Sequence, residues 1–240
     1  MPRTLDPTPA SDTRRAIARD AAGVGVAVGL YAVSFGVLAV AAGASTAQAM
    51  AMSLLVFTGA SQFAFIGVIS GGGGAAAALA PALVLAARNA VYGLSVAPLL
   101  RGSLGGRLLR AQLVIDESTA MARAQDTPED ARFAFLATGV SVFVCWNAGT
   151  LIGALAGSGL GDPRDLGLDA MFPAAFLALL SPQLRRPGAP RVAVTGAAIA
   201  CVLITLTPAG IPIVAAVLAL LPAARVTWRD RGRPAAAVRA

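Results

Sequence analysis

Arg88 is the first of several polar residues that interrupt long apolar stretches of this sequence, and its side chain suits the binding of a small charged solute. Asn89 follows it directly, and Tyr92 comes one helical turn later. A guanidinium binds a carboxylate through two parallel hydrogen bonds, and residues four apart share one face of a helix. The sequence therefore predicts a carboxylate-binding face here, while an ion pair of Arg88 with Asp116 or Asp169 is an equally good explanation.

A second polar group combines Thr58, Gly59, Ser61 and Gln62 within another apolar segment. Hydroxyl and amide groups in hydrocarbon need hydrogen-bond partners, and a glycine beside them frees backbone groups for a ligand. The alternative is that these side chains hydrogen-bond between helices. The predicted substrate-binding residues are Thr58, Ser61, Gln62, Arg88, Asn89 and Tyr92.

The adjacent carboxyl groups of Asp116 and Glu117 form the third group. Desolvation and a neighbouring negative charge both raise the pKa of a carboxyl group, which allows it to bind and release a proton near neutral pH. We therefore predict proton coupling at Asp116 and Glu117. Asp169 is the third predicted coupling residue. The alternative is that Asp116 and Glu117 belong to a solvated helix face.

Composition excludes several other chemistries. The sequence has no histidine and two isolated cysteines, Cys145 and Cys201, so we expect neither a zinc site nor a Cys–His nucleophile pair, and no cofactor. Its 19 basic residues are all arginines in short clusters without interleaved aromatic residues, which argues against nucleic-acid binding. We expect no enzymatic activity. An intramembrane enzyme and a structural or sensory membrane subunit are the competing hypotheses.

Long apolar segments must position these residues. Charged residues make up 13% of the sequence and the mean hydropathy is +0.73, as expected for a membrane protein. Between Ala21 and Leu100, Arg88 is the sole charge, and it lies at half depth of its segment. An arginine there costs about 2.5–3.5 kcal/mol on insertion scales, so it should face a cavity or a partner rather than lipid.

Seven segments are candidate membrane spans: Ala21–Ala42, Ala49–Ile69, Ala75–Leu100, Phe133–Ala156, Leu168–Leu180, Val192–Leu206 and Ile211–Ala224. We therefore predict an all-α, polytopic transmembrane helical bundle of about six or seven spans, with broken or re-entrant helices. Residues 1–20 form a polar N-terminal tail, 21–224 a single transmembrane domain, and 225–240 a basic C-terminal tail.

Orientation follows from the arginines, because cytoplasmic connections are enriched in basic residues. The arginine-rich connection 101–132 should then be cytoplasmic. The arginines of the N-terminal tail favour the same side, which requires Ala49–Ile69 to enter and leave the membrane on one side, broken near Thr58–Gln62. We expect instead a single crossing with an external N-terminus, because 21 residues make a poor hairpin.

Glycines at spacings of four predict close helix packing. They are Gly25 and Gly29 in the first segment, and Gly149, Gly153 and Gly157 in the fourth. One of these glycine faces could also receive another subunit.

At these residues the sequence resembles the AzlC-type branched-chain amino-acid exporters. The resemblance rests on four blocks in order: Met52–Gln62, Arg88–Pro98, Asp116–Glu117, and Gly167–Asp169 with the segment Phe172–Leu180 that follows. It implies a multi-pass permease of the cytoplasmic (inner) membrane that exports leucine, isoleucine and valine, driven by a proton gradient. It also implies that this chain is the large subunit beside a small AzlD-type membrane partner.

Overall fold

The computed structural model describes residues 9–159, 177, 180, 181, 183–185 and 187–221. Every regular element in these ranges is helical, which confirms the predicted all-α class. The nine α-helices with described bounds are α1 (Pro9–Ala41), α2 (Thr46–Leu55), α3 (Ala60–Ser70), α4 (Ala75–Val96), α5 (Leu104–Ala111), α6 (Asp116–Arg123), α7 (Pro128–Gly159), α8 (Ala189–Leu203) and α9 (Ile211–Ala216). Short 3-10 turns occur at Ala97–Leu100, Gln183–Arg185 and Val217–Ala219.

Three of the described helices are long and apolar enough to cross a membrane. They occupy Asp12–Ala41, Ala75–Leu100 and Pro128–Gly159. Helices of this length exceed the roughly 30 Å of a bilayer core at about 1.5 Å per residue. They correspond to the first, third and fourth predicted spans, which are therefore confirmed as long apolar helices.

Glycines allow α1 and α7 to pack closely side by side. A methyl group at Gly25 would overlap Ser141, and one at Gly153 would overlap the carbonyl oxygen of Val33. Residues further along α1 contact residues further along α7, so the two helices run in the same direction. The glycines predicted from their spacing all lie in this contact: Gly25, Gly29, Gly149, Gly153 and Gly157. These faces are used within the chain.

The second predicted span consists of two short helices, α2 and α3. They have 10 and 11 residues, so each covers only about half of a bilayer core. Between them the backbone has φ values of 38° at Phe57 and 61° at Gly59. Positive φ is unfavourable for phenylalanine and cannot continue a right-handed helix. The expected single crossing over Ala49–Ile69 is therefore broken at its midpoint.

Contacts to α4 show that α2 and α3 form a re-entrant pair. The start of α3 lies near the middle of α4, because Arg88 contacts the carbonyl oxygen of Thr58 at the break. The end of α3 lies near the start of α4, because only the glycines 71–74 separate the two helices. Hence α3 and α4 run in opposite directions. The far end of α4, at Val96, packs with Phe135 near the start of α7. Both outer ends of the α2–α3 pair thus lie on the side where α1 ends.

This geometry corrects the expected topology. The starts of α1 and α7 lie together, since the Nε of Arg14 is 3.7 Å from a carboxylate oxygen of Asp130. The N-terminal arginines therefore lie on the same side as the arginine-rich connection 101–132. The expected single crossing at Ala49–Ile69 is wrong. The re-entrant alternative places both basic regions on one side, and by the positive-inside rule we now expect that side to be cytoplasmic.

Helices α5 and α6 form a second re-entrant pair from the opposite side. Their connection reaches deep into the bundle, because Leu113 contacts Gly139 and Asp116 contacts Arg88. Its tip meets the tip of the first pair, where the Nε2 of Gln112 donates to the carbonyl oxygens of Leu54 and Leu55 at 2.9 and 3.3 Å. A span followed by a re-entrant pair thus occurs twice, in opposite directions.

Helices α8 and α9 complete the described bundle. They correspond to the sixth and seventh predicted spans, and α8 has 15 residues. The turn between them lies against the start of α4, where a methyl group at Gly210 would contact the carbonyl oxygen of Ala77. Most of the fifth predicted span, Leu168–Leu180, lies outside the described residues, as do Asp169 and the basic tail 225–240. The domain bounds 21–224 stay a prediction.

Candidate functional site

A cavity of about 480 Å³ lies where the tips of the two re-entrant pairs meet, beside α1, α4 and α7. This volume is within the range of about 300–1,000 Å³ that is common for small-molecule sites. Its polar side chains are Thr58, Arg88, Tyr92, Asp116, Glu117 and Gln183. Its apolar and aromatic side chains are Ala27, Val28, Tyr31, Phe57, Ala60, Ile115, Val142 and Trp146.

Arg88 holds the two tips together from the wall of this cavity. Its Nη1 lies 3.4 Å from a carboxylate oxygen of Asp116, and its Nη2 lies 3.4 Å from the carbonyl oxygen of Thr58. The side chains of Arg88 and Asp116 are 35% and 44% exposed. The arginine therefore has the ion-pair partner Asp116 that the sequence offered as one explanation, and it also faces the cavity. Carboxylate binding at Arg88 stays a prediction.

Glu117 stands beside Asp116 at the start of α6, in the connection between two spans. Burial raises the pKa of Glu117 from its usual 4.5 to about 7, and the negative charge of Asp116 adds to this rise. A hydrogen bond with the backbone and the charge of Arg88 act in the opposite direction. Glu117 can therefore exchange a proton near neutral pH.

The unwound residues between α2 and α3 form one edge of the cavity. Within this tip, the hydroxyl groups of Thr58 and Ser61 are in contact. The Oε1 of Gln62 accepts a hydrogen bond of 3.1 Å from the backbone N–H of Gly59. Gln62 is fully buried and does not line the cavity. Its amide and the Ser61 hydroxyl therefore stabilise the break in the helix.

Aromatic rings cluster beside the cavity on the side where α1 and α7 end. Phe63 packs on Tyr31 at a centroid distance of 4.9 Å and on Phe35 at 5.5 Å. Trp146 stacks on Phe35 at 6.0 Å. On the opposite side, earlier in α1 and α7, the lining residues are small and aliphatic. The cavity thus has an aromatic end and an aliphatic wall.

The structure brings together some of the predicted site residues. Thr58, Arg88, Tyr92, Asp116 and Glu117 line the cavity, whereas Ser61 and Gln62 lie behind its wall. Asn89 points elsewhere and lines a separate recess of about 270 Å³. Asp169 lies outside the described residues. The roles assigned to these residues stay predictions.

Sequence reasoning missed the wall contributed by α1 and α7. Tyr31 and Trp146 are both part of it, and each is one of only two residues of its type in the sequence, a rarity that could have drawn attention to them. In the described ranges, no group of three or more Cys, Asp or Glu residues is arranged to hold a metal ion. The charged side chains that line the cavity are Arg88, Asp116 and Glu117, so it carries groups of both charge signs.

Comparison with known proteins found related membrane proteins. The family model for AzlC proteins matches residues 23–160. An uncharacterized membrane protein of Archaeoglobus fulgidus is 36% identical over 190 residues, which cover 78% of this chain and 83% of that protein. The inner membrane protein YgaZ of Escherichia coli strain K12 is 27% identical over 195 residues, which cover 76% and 78% of the two chains. No solved structure matches.

Proposed function

Because the chain belongs to the AzlC family of membrane proteins, we propose that it is a permease that exports branched-chain amino acids. One observation carries this proposal: at half depth of the bundle, a single cavity combines Arg88, Asp116 and Glu117 with an aliphatic wall. A zwitterionic amino acid with a branched aliphatic side chain needs both charge signs and an apolar surface. Val28, Val142 and Ile115 supply that surface beside the charged groups.

Glu117 is the proposed site of proton coupling. When Glu117 is neutral, the ion pair between Arg88 and Asp116 leaves the cavity without net charge. When Glu117 loses its proton, the cavity gains a negative charge that attracts the ammonium group of an amino acid. Binding of a proton and binding of an amino acid therefore oppose one another at this residue, which is the basis of exchange between them.

The location and the partner belong to the same proposal. The inner membrane is supported by the relative YgaZ, which is named an inner membrane protein. We also propose a small AzlD-type membrane protein as a partner subunit, as the sequence resemblance implies. Flux should therefore be measured with and without this partner.

The test is efflux of radiolabelled L-leucine, L-isoleucine and L-valine from proteoliposomes. Arg88→Gln should lower the flux of all three at least tenfold, because it removes the charge that balances Asp116 and releases the carbonyl oxygen of Thr58. Arg107→Gln is the matched control, since Arg107 is exposed on α5, and it should leave flux unchanged.

Two outcomes would contradict the proposal. Equal flux in Arg88→Gln and in the unchanged protein would show that the cavity is not part of the transport pathway. Absence of amino-acid flux with the partner present, in protein that is correctly inserted, would favour a structural or sensory subunit instead.

A further inference from the structure

We infer that the carboxylate of the transported solute binds between the N-terminus of α3 and the indole Nε1 of Trp146, rather than to Arg88. This inference rests on the proposed function and names the subsite that fixes the orientation of its substrate. Trp146 is assigned as a binding residue. Arg88 becomes a positioning residue that holds the two re-entrant tips.

The first observation is a buried donor without an acceptor. Trp146 lines the cavity and is 3% exposed, and its Nε1 has no hydrogen-bond partner among the described residues. Packing against Phe35 and Phe63 holds the ring in place. Indole N–H groups are usually paired when buried, and an unpaired donor destabilises the protein. A ligand acceptor would satisfy this donor.

The second observation is the exposed start of α3 at the same cavity. The amide of Gly59 is satisfied by Gln62, whose own backbone N–H donates to the carbonyl oxygen of Gly59. The amides of Ala60 and Ser61 have no partner within the helix because of their position in its first turn. Gly59 and Ala60 line the cavity, so the positive end of the helix dipole faces it.

The third observation is that Arg88 is already engaged. Its two terminal nitrogens contact Asp116 and the carbonyl oxygen of Thr58. A carboxylate arriving at Arg88 must compete with Asp116, whereas no hydrogen bond joins the first amides of α3 to an acidic side chain among the described residues. The ammonium group of the same solute is then free to approach Asp116 and Glu117. The solute is thereby held at both charges.

Binding at this subsite must also move atoms of the cavity wall. The Nε1 of Trp146 is out of contact with water in this conformation. A methyl group at Gly59 would lie 3.8 Å from the Cη2 of Trp146, so the ring borders the tip. A carboxylate reaches Nε1 only by displacing neighbouring wall atoms. Occupation of the subsite therefore requires these wall atoms to move.

The experiment uses the fluorescence of Trp146 in the full chain. Trp228 is the other tryptophan in the sequence, so Trp228→Phe leaves Trp146 as the only indole. Three probes separate the charges: L-leucine, 4-methylpentanoate without the ammonium group, and 3-methylbutylamine without the carboxylate. We expect leucine and 4-methylpentanoate to change the emission of Trp146, and 3-methylbutylamine to leave it unchanged.

Binding affinities of variants provide the second measurement. Trp146→Phe keeps an aromatic ring but loses the donor, and should weaken leucine and 4-methylpentanoate about tenfold while leaving 3-methylbutylamine unchanged. Thr138→Val is the matched control, because Thr138 is a fully buried α7 residue whose hydroxyl also lacks a partner and does not line the cavity. It should leave all three affinities unchanged.

The outcomes separate this inference from the proposed function. Leucine binding without any change in Trp146 emission, or an equal loss for all three probes in Trp146→Phe, overturns the subsite and leaves the proposed function intact. Binding of 4-methylpentanoate without leucine supports the subsite and counts against the proposed substrate. Absence of binding of all three probes contradicts both. The emission experiment keeps Trp146 itself, so it remains decisive if Trp146→Phe does not fold.

Discussion

Glu117 should make the stability of this protein depend on pH between about 4.5 and 7. Burial is the main cause of its raised pKa, followed by the charge of Asp116. The rise from 4.5 to about 7 corresponds to about 3 kcal/mol in favour of the neutral carboxyl group in the folded state. Glu117→Gln, which is neutral at every pH, removes this dependence.

The direction of the effect follows from proton binding. Below pH 4.5 Glu117 is protonated in both the folded and the unfolded chain, so it contributes no dependence there. Between 4.5 and about 7 the folded protein holds a proton that the unfolded chain has released. The free energy of unfolding therefore falls as the pH rises through this window, and it stays constant above it.

The assay is thermal unfolding of purified protein in detergent at several pH values from 5 to about 8. Glu129→Gln is the matched control, because Glu129 is the second of the two glutamates in the sequence and is exposed at the start of α7. Protein with Glu129→Gln should keep the fall in stability, and protein with Glu117→Gln should lose it. The reasoning is refuted if Glu117→Gln shows the same dependence on pH as the unchanged protein.

Two further predictions concern the fold. Gly153→Leu should destabilise the protein by about 1–3 kcal/mol, because the leucine side chain would overlap Val33. The control in thermal unfolding is Gly159→Leu, since no atom lies within 4 Å of a methyl group at Gly159. Equal unfolding midpoints for the two variants would contradict the close α1–α7 contact. Single cysteines at positions 44 and 72, in a chain with both native cysteines replaced by alanine, should react with a membrane-impermeant thiol reagent from the same side, and a cysteine at 103 from the opposite side. Labelling of the cysteines at positions 44 and 72 from opposite sides would contradict the re-entrant pair and support a single crossing between them.

The sequence by itself determined the class of protein and pointed to several of the polar residues that line the cavity. The free energy of transferring a segment into lipid depends on its length and apolar composition. The long segments around α1, α4 and α7 could therefore be identified without a structure. The cost of a charge at half depth singled out Arg88, and the adjacency of two carboxyl groups singled out Asp116 and Glu117; all three line the cavity. These are local properties of the chain.

Tertiary structure decided which of the polar residues share a cavity. Thr58 and Arg88 face it, whereas Gln62 and Asn89 do not, although all four lie in the same two polar blocks. Trp146 joins the cavity from a helix more than fifty residues further along the chain. The rotation of each helix is set by its packing against distant segments, and spacing along one helix does not contain this information.

The re-entrant course of α2 and α3 was likewise decided by tertiary contacts. An apolar segment of 21 residues satisfies the length of one crossing, so composition alone favours a span. The positive φ values at Phe57 and Gly59 are maintained by Gln62 at the backbone of Gly59 and by Arg88 at the carbonyl oxygen of Thr58. The contact from Arg88 comes from another helix. The backbone therefore breaks where distant side chains satisfy its polar groups, which the local sequence could not reveal.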